Sequence, residues 1–291
     1  MPNHYDQLLQ ASIEHLENLK AQGARFLTVE NETLIALRQP KTQFISAPKK
    51  IESPPAKKLF SLEETTRELV PALRPLILSA PFADHAAKEA ARNELRERAM
   101  VCVRCPHLAA TRKNVVFGLG DINAPLMFVG EAPGAEEDEQ GEPFVGKAGQ
   151  LLTRIIQTMG YARETVYIAN ILKCRPDTPG QSAGNRKPTT DEMKTCLPYL
   201  LEQIKLVQPK VMVALGAVAL EGLFGKTAGI SRLRGQFQTF QNIPVMPTYH
   251  PAYLLRNQAL SEKRKVWEDM LQVLEKLGAP ISEKQRQFFT K

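Results

Sequence analysis

Hydrophobic and polar positions change their rhythm near residue 120. Beyond it, short continuous apolar runs alternate with stretches of helical spacing. The runs at 125–129, 166–170, 211–215 and 243–248 are rich in Val, Ile, Met and Leu, and have the length of buried strands. Between and after them, residues 147–159, 190–207, 217–224 and 261–277 carry apolar residues at helical spacing. Thr190, Asp191 and Glu192 form a favourable helix start, and Pro209 ends that helix. Strands that are apolar throughout, separated by helices, predict a four-stranded parallel sheet covered on both faces. In such a sheet the carboxyl ends of the strands share one edge, where ligands bind in open α/β folds. That placement predicts that loops 130–146, 170–176 and 248–256 are neighbours.

The first 83 residues read differently. Residues 5–22 place Leu8, Leu9, Ile13, Leu16 and Leu19 on one helical face, and 26–29 with 33–37 suit a small hairpin. Residues 39–58 hold Pro40, Pro48, Pro54 and Pro55 among Lys and Ser, a linker composition. Residues 61–80 are broken by Pro71 and Pro75. Residues 84–100, rich in Ala, Glu and Arg, predict a helix. The expected division is an N-terminal extension over 1–83 with no assigned task, a main domain over 84–280 and a tail over 281–291.

Charge sharpens this division. The chain carries a net charge of +7. Residues 1–85 hold ten Lys/Arg and ten Asp/Glu, so the whole excess lies in residues 86–291, with 28 and 21. A basic domain points to a polyanionic partner. No apolar run is long enough to span a bilayer, and the first residues lack the pattern of a secretory signal. The expectation is a soluble intracellular protein, cytoplasmic, with no membrane partner.

Two constellations carry candidate chemistry. The first is Gly130-Glu131-Ala132-Pro133-Gly134, a tight turn after the first strand. Glu136, Glu137 and Asp138 follow, then Pro143-Phe144-Val145-Gly146. A turn fixed by Gly and Pro beside an aromatic ring suits a flat ligand. The second is the cysteines, of which there are four, at 102, 105, 174 and 196. Cys102-Val103-Arg104-Cys105 lets two thiolates face one centre, and two further cysteines complete a set for tetrahedral zinc or a [4Fe–4S] cluster. A zinc site more often shows two such pairs, which favours the cluster.

The chain resembles the family 4 uracil-DNA glycosylases. Four segments carry the resemblance, in order: Gly130 to Gly134; Pro143-Phe144-Val145-Gly146-Lys147-Ala148-Gly149; Asn170-Ile171-Leu172-Lys173-Cys174-Arg175-Pro176; and His250-Pro251-Ala252-Tyr253-Leu254-Leu255-Arg256. It covers residues 95–277. It implies a three-layer α/β/α sandwich and a [4Fe–4S] cluster on Cys102, Cys105, Cys174 and Cys196. The implied partner is uracil-containing DNA, single- or double-stranded, bound by a monomer.

The implied reaction is hydrolysis of the bond between deoxyribose and a flipped-out uracil. Phe144 resembles the stacking aromatic, and Asn170 the amide that reads the O4 and N3–H edge. His250 would hold charge on O2 as the base leaves, helped by backbone N–H groups of Gly130 to Ala132. Better-studied glycosylase families carry an Asp where this chain has Ala132, so the water needs another partner. Glu131 is the first candidate and Glu137 the second. Leu254, Leu255 and Arg256 resemble a loop that wedges into the base stack. Lys147, Lys173, Arg175, Arg186 and Lys187 are then candidate phosphate contacts. Two other readings compete: a DNA-binding protein that captures uracil without turnover, and a cluster-bearing module of replication or phage-polymerase type. Relatives that capture the abasic site covalently carry a Gln at the position of Ala132, which favours turnover here.

Overall fold

The computed structural model describes residues 84–177, 185–225 and 229–290. The helix, hairpin and linker expected within 1–83 lie outside the described residues. Strands are β1 (Leu119–Gly120), β2 (Leu126–Gly130), β3 (Tyr167–Asn170), β4 (Val211–Leu215), β5 (Gln238–Phe240) and β6 (Ile243–Thr248). Their order in the sheet is β1-β3-β2-β4-β6-β5. The four expected strands are the inner ones, and β3, β2, β4 and β6 are mutually parallel.

The sheet has six strands among the described residues, not four, because an antiparallel strand is added at each edge. β1 is two residues long, too short for any periodicity to show. Two of the three β5 residues, Gln238 and Thr239, are polar, and the strand reaches β6 through Gln241 and Asn242, both with positive φ. That is the backbone of a tight two-residue hairpin turn.

Both faces are covered. In β2 the side chains alternate: Met127 and Val129 enter one core cluster, Leu126 and Phe128 the other. The first cluster is closed by helices α5 (Thr190–Val207) and α6 (Ala217–Phe224), the second by α4 (Lys147–Thr158) and α9 (Leu260–Leu277). All five β2 residues are buried, which explains why the strand reads as a continuous apolar run. Helix α1 (His85–Met100) packs Leu95 and Ala99 against Tyr199 of α5. Helix α2 (Pro106–Thr111) adds Leu108 to the same cluster, helix α3 (Ala135–Gln140) follows the turn after β2, and helix α7 (Ile230–Leu233) comes between α6 and β5 in the chain.

Residues 281–290, expected as a tail, dock on the second face. Helix α10 (Glu283–Arg286) receives the indole N–H of Trp267 on the Gln285 carbonyl at 2.5 Å, and Phe288 packs edge-on against Trp267.

One buried carboxylate ties the chain around the cysteines. Glu192 is 3% exposed. It accepts from the Arg186 guanidinium at 2.8 and 2.5 Å, from Thr189 N–H at 2.7 Å and lies 2.6 Å from His107 Nε2. Arg186, a candidate phosphate contact in the sequence, is therefore committed to an internal ion pair. Burial alone would push the Glu192 carboxyl up. The hydrogen bonds from Arg186, His107 and Thr189 outweigh it and bring it down to about 2. A carboxyl lowered by folding stabilises the native state above its ordinary pKa, and that contribution is lost as pH falls through the native value. Unfolding free energy should therefore drop by on the order of 2–3 kcal/mol from this group between about pH 4.5 and pH 2. Glu192→Gln should show a flatter profile over that window in denaturant titrations; parallel profiles would contradict the assignment.

Candidate active site

Gly130 is the last residue of β2 and lies in register with Asn170, the last of β3. Residues in register on parallel strands send their side chains to the same face. Gly130 has none, and that space is used. A Cβ there would lie 2.4 Å from Asn170 Oδ1 and 2.5 Å from Phe144 Cζ. The amide and the ring thus converge over bare backbone. Asn170 is 2% exposed, and its Oδ1 is buried without a hydrogen-bond partner among the described residues. A buried unpaired acceptor is costly unless a ligand satisfies it.

Phe144 is held in an uncommon backbone state, with φ at 54°. Three contacts fix it. A Cβ on Gly149 would lie 1.9 Å from the Phe144 carbonyl oxygen, so only glycine lets helix α4 come this close. The Arg163 guanidinium donates to the carbonyl of Pro143. Glu137 accepts from Val145 N–H and Gly146 N–H, each at 2.9 Å, with one oxygen, and from Gly134 N–H at 3.0 Å with the other. Glu137 therefore buckles the two glycine-rich turns together. These bonds give Glu137 a scaffold task; the sequence made it the second candidate, after Glu131, for orienting the water.

His250 caps helix α8 (Pro251–Arg256). Its ring lies 5.7 Å from the Phe144 ring, tilted by 31°. The N–H of Ala252 donates to His250 Nδ1 at 3.1 Å, which makes Nδ1 an acceptor and leaves the proton on Nε2. Burial, helped by the Arg256 charge, pushes the imidazole down to about 4. The site therefore presents a neutral imidazole with one N–H donor. Gly216, at the end of β4, makes room for it: a Cβ there would meet His250 Cβ at 3.0 Å. β2 and β4 are the strands at which the parallel order reverses, the place where such sheets bind ligands.

Glu131 is half-buried next to this pocket, and its side chain makes no hydrogen bond among the described residues. Burial raises its carboxyl above the ordinary range; Lys187 opposes that rise and Glu221 adds to it. Lys187 itself pairs with Glu221 at 2.6 Å. Ala132 packs toward a different neighbour, the cluster that contains Leu172 and the cysteines.

All four cysteines are unbridged and gather in that one cluster: Cys174 and Cys196 are buried, and Cys102 and Cys105 are half-buried. Arg112 donates to Cys174 Sγ at 3.1 Å and Lys173 N–H to Cys196 Sγ at 3.3 Å. Donors aimed at sulfur and a nearby cation suit thiolates that carry an anionic centre. Without one, burial pushes the Cys196 thiol up to about 12. Among the described residues no three Cys, His, Asp or Glu side chains are arranged to hold a single metal ion.

The family model described as the Uracil DNA glycosylase superfamily matches residues 117–271, just over half of the chain. A type-4 uracil-DNA glycosylase of Thermotoga maritima is 46% identical over 176 residues, which are 60% of this chain and 88% of that protein. The chain belongs to the type-4 uracil-DNA glycosylases. A type-4 uracil-DNA glycosylase of Saccharolobus solfataricus is 42% identical over 191 residues, 62% of this chain and 84% of the other. A type-5 uracil-DNA glycosylase of Pyrobaculum aerophilum is more distant, 27% identical over 215 residues, covering 62% of this chain and 90% of its own.

The DNA-side candidates of this glycosylase separate on exposure. Lys147 opens helix α4 and is exposed; Arg256 is exposed and Leu255 half-buried. Leu254, expected in the wedge, is 5% exposed and packs with Tyr249 and Val266. It belongs to the core because a six-residue helix must bury one side. Arg175 donates to Asn185 at 2.9 Å. Lys173 is 2% exposed and cannot reach a phosphate. No helix among the described residues is long and apolar enough to cross a membrane. Sequence reasoning missed Gly216 and Arg163, and had Gly149 as part of a motif without its use. A glycine between a strand and a helix was the available signal for the first; Arg163 and Gly149 act through backbone contacts that the sequence does not display.

The tautomer of His250 is directly measurable. Nitrogen-15 chemical shifts of the imidazole should report a proton on Nε2, with no titration near pH 6.5 and protonation only near pH 4. Because the native pKa is lowered, protonation works against the fold, so stability should fall as pH drops below about 6.5. A ring that titrates between pH 6 and 7 would contradict the geometry.

Proposed function

We propose that this type-4 glycosylase holds an extruded uracil over Gly130 while water replaces it at the sugar, leaving an abasic site. The observation that carries the assignment is the convergence of an unpaired amide oxygen, an aromatic face and a neutral imidazole at one sheet edge. Asn170 Oδ1 accepts the N3–H of uracil and Nδ2 donates to O4. Cytosine has an unprotonated N3 and an amino group in those places, so the same amide rejects it. The face of Phe144 covers the ring; base–aromatic stacking contributes about 1–3 kcal/mol.

As the bond from C1′ to N1 breaks, its electron pair leaves with the base, and the charge spreads to O2. The Nε2–H of His250 stabilises it there without giving up its proton. The raised pKa of Glu131 makes it a better base than an exposed carboxylate. It orients the attacking water and takes its proton as the oxygen bonds to C1′. Burial keeps competing water from the ring; Glu137 and Gly149 keep Phe144 in place. Leu255 fills the gap left by the base, and Arg256, Lys147 and Arg175 contact the backbone phosphates. Uracil-containing DNA is the substrate, in single or double strands. The chain acts as a monomer in the cytoplasm, and residues 1–83 are not required for excision.

The four cysteines hold a [4Fe–4S] cluster. The donor set fits, as all four sulfurs share one apolar cluster with a backbone N–H and a guanidinium donating to two of them. Cys102 and Cys105, Cys174 after β3, and Cys196 of helix α5 would hold it, and it would supply rigidity by joining those segments.

Single-turnover excision from matched U- and C-containing strands, with binding measured separately, tests the pocket. His250→Ala should lower the rate on uracil by roughly 10²–10³ with little change in affinity, as for one lost oxyanion donor. Asn170→Asp should lose uracil excision and gain weak cytosine excision, since a carboxylate accepts from the cytosine amino group. Near-normal uracil excision by both variants would show that the pocket lies elsewhere. Iron and sulfide assays on anaerobically purified protein should give near-equal amounts; one zinc in their place would sink the cluster assignment.

A further inference from the structure

One buried ammonium has no task in the chemistry above. Lys173 is 2% exposed, three residues after Asn170 and one before Cys174. Its Nζ donates to the Asn170 carbonyl at 2.9 Å and to Gln203 Oε1 at 2.6 Å. Both acceptors are neutral. Gln203 is itself fixed, because its Nε2 donates to the Phe117 carbonyl at 2.8 Å and to the Tyr167 hydroxyl at 3.1 Å. The Lys173 backbone is engaged as well. Its N–H donates to Cys196 Sγ at 3.3 Å, and its carbonyl accepts from Val116 N–H at 2.8 Å.

Burying a cation without a carboxylate is costly. A methionine would fill the same space without that cost. What the lysine adds is a donor that reaches the peptide of Asn170, from a residue whose own peptide grips a cysteine. The loop between them also runs alongside the Gly130 turn: Ile171 N–H donates to the Gly130 carbonyl and Leu172 N–H to the Glu131 carbonyl, each at 3.0 Å. The segment is thus clamped on the pocket side by β2 and on the other side by the cysteines. Lys173 touches the Asn170 peptide with its side chain and Cys196 with its own N–H.

We propose that Lys173 is a positioning residue that ties the cysteine centre to the base-reading amide. Its ammonium fixes the Asn170 peptide while its own peptide fixes Cys196. The orientation of the amide over Gly130 is therefore set from the cysteine side. The positive charge also suits an anionic thiolate centre. This rests on the reading of Asn170 given above.

A double-mutant cycle in the full chain with its centre loaded tests the tie. Lys173→Met should lower single-turnover uracil excision by roughly 10- to 100-fold, the scale of a small misplacement of a substrate-positioning group. DNA affinity should change by less than about threefold. In an Asn170→Ala background the same substitution should cost less than about threefold, since residues that act as a unit are not additive. Iron release to a chelator, followed by visible absorbance, should be faster in Lys173→Met. If Lys173→Met does not fold, Lys173→Gln, which keeps a donor without the charge, takes its place in the same cycle. An equal loss in both backgrounds, or no loss in either, overturns the proposal. Unchanged iron release overturns the link to the cysteine centre. If Asn170→Ala alone leaves excision intact, the base-reading assignment fails, and the proposal fails with it for a visibly different reason.

Discussion

The pocket depends on the absence of a side chain at Gly130. Two strands end there in register, and Phe144 arrives from a separate loop with its ring where a Cβ would be. The ring is held over bare backbone, and the buried oxygen of Asn170 lies beside it without a partner among the described residues. The supporting contacts serve this one approach. Gly149 lets the helix after Phe144 come close, Glu137 gathers three peptide N–H groups, and Gly216 admits His250.

Electrostatics are arranged around the same site. The Nδ1 of His250 is occupied by a peptide N–H, so the imidazole enters as a neutral donor. Its lowered pKa and the raised one of Glu131 share a dominant cause, burial, acting on groups of opposite charge type. The outcome is a donor that stays neutral and a carboxylate that gains basicity, matched to a reaction in which negative charge leaves and a proton must be taken up. Farther out, Asp269 under the β6 end is pushed up to about 6 by burial despite its partners Thr248 and Arg234, and anchors the strand that delivers His250.

Much of this was legible in the sequence, for physical reasons. The inner strands are buried on both faces, so each reads as an unbroken apolar run, and the helices show clear periodicity. The three loops of the pocket follow from parallel topology alone. The edge strands were not legible: β1 is two residues long, and β5 is three residues with two of them polar. Residues whose type suggests the surface misled. Lys173 and Arg186 look like phosphate contacts, yet one is buried against carbonyls and the other bound to Glu192. Leu254 looks like a wedge, yet it is the inward side of a short helix. A charge or an apolar side chain in a loop motif does not state which way it points. Gly130 stood out as a turn former and a source of backbone N–H, not as an open space, because a missing Cβ declares its use only when the neighbours are in place.

The most direct test is Gly130→Ala. The added methyl would overlap both Asn170 and Phe144, while the sheet backbone and the cysteine centre are left alone. Single-turnover uracil excision should fall by at least about 10², the cost of moving positioning groups by roughly an ångström, with iron content and circular dichroism unchanged. Excision at the unsubstituted rate would mean that the base does not sit over Gly130.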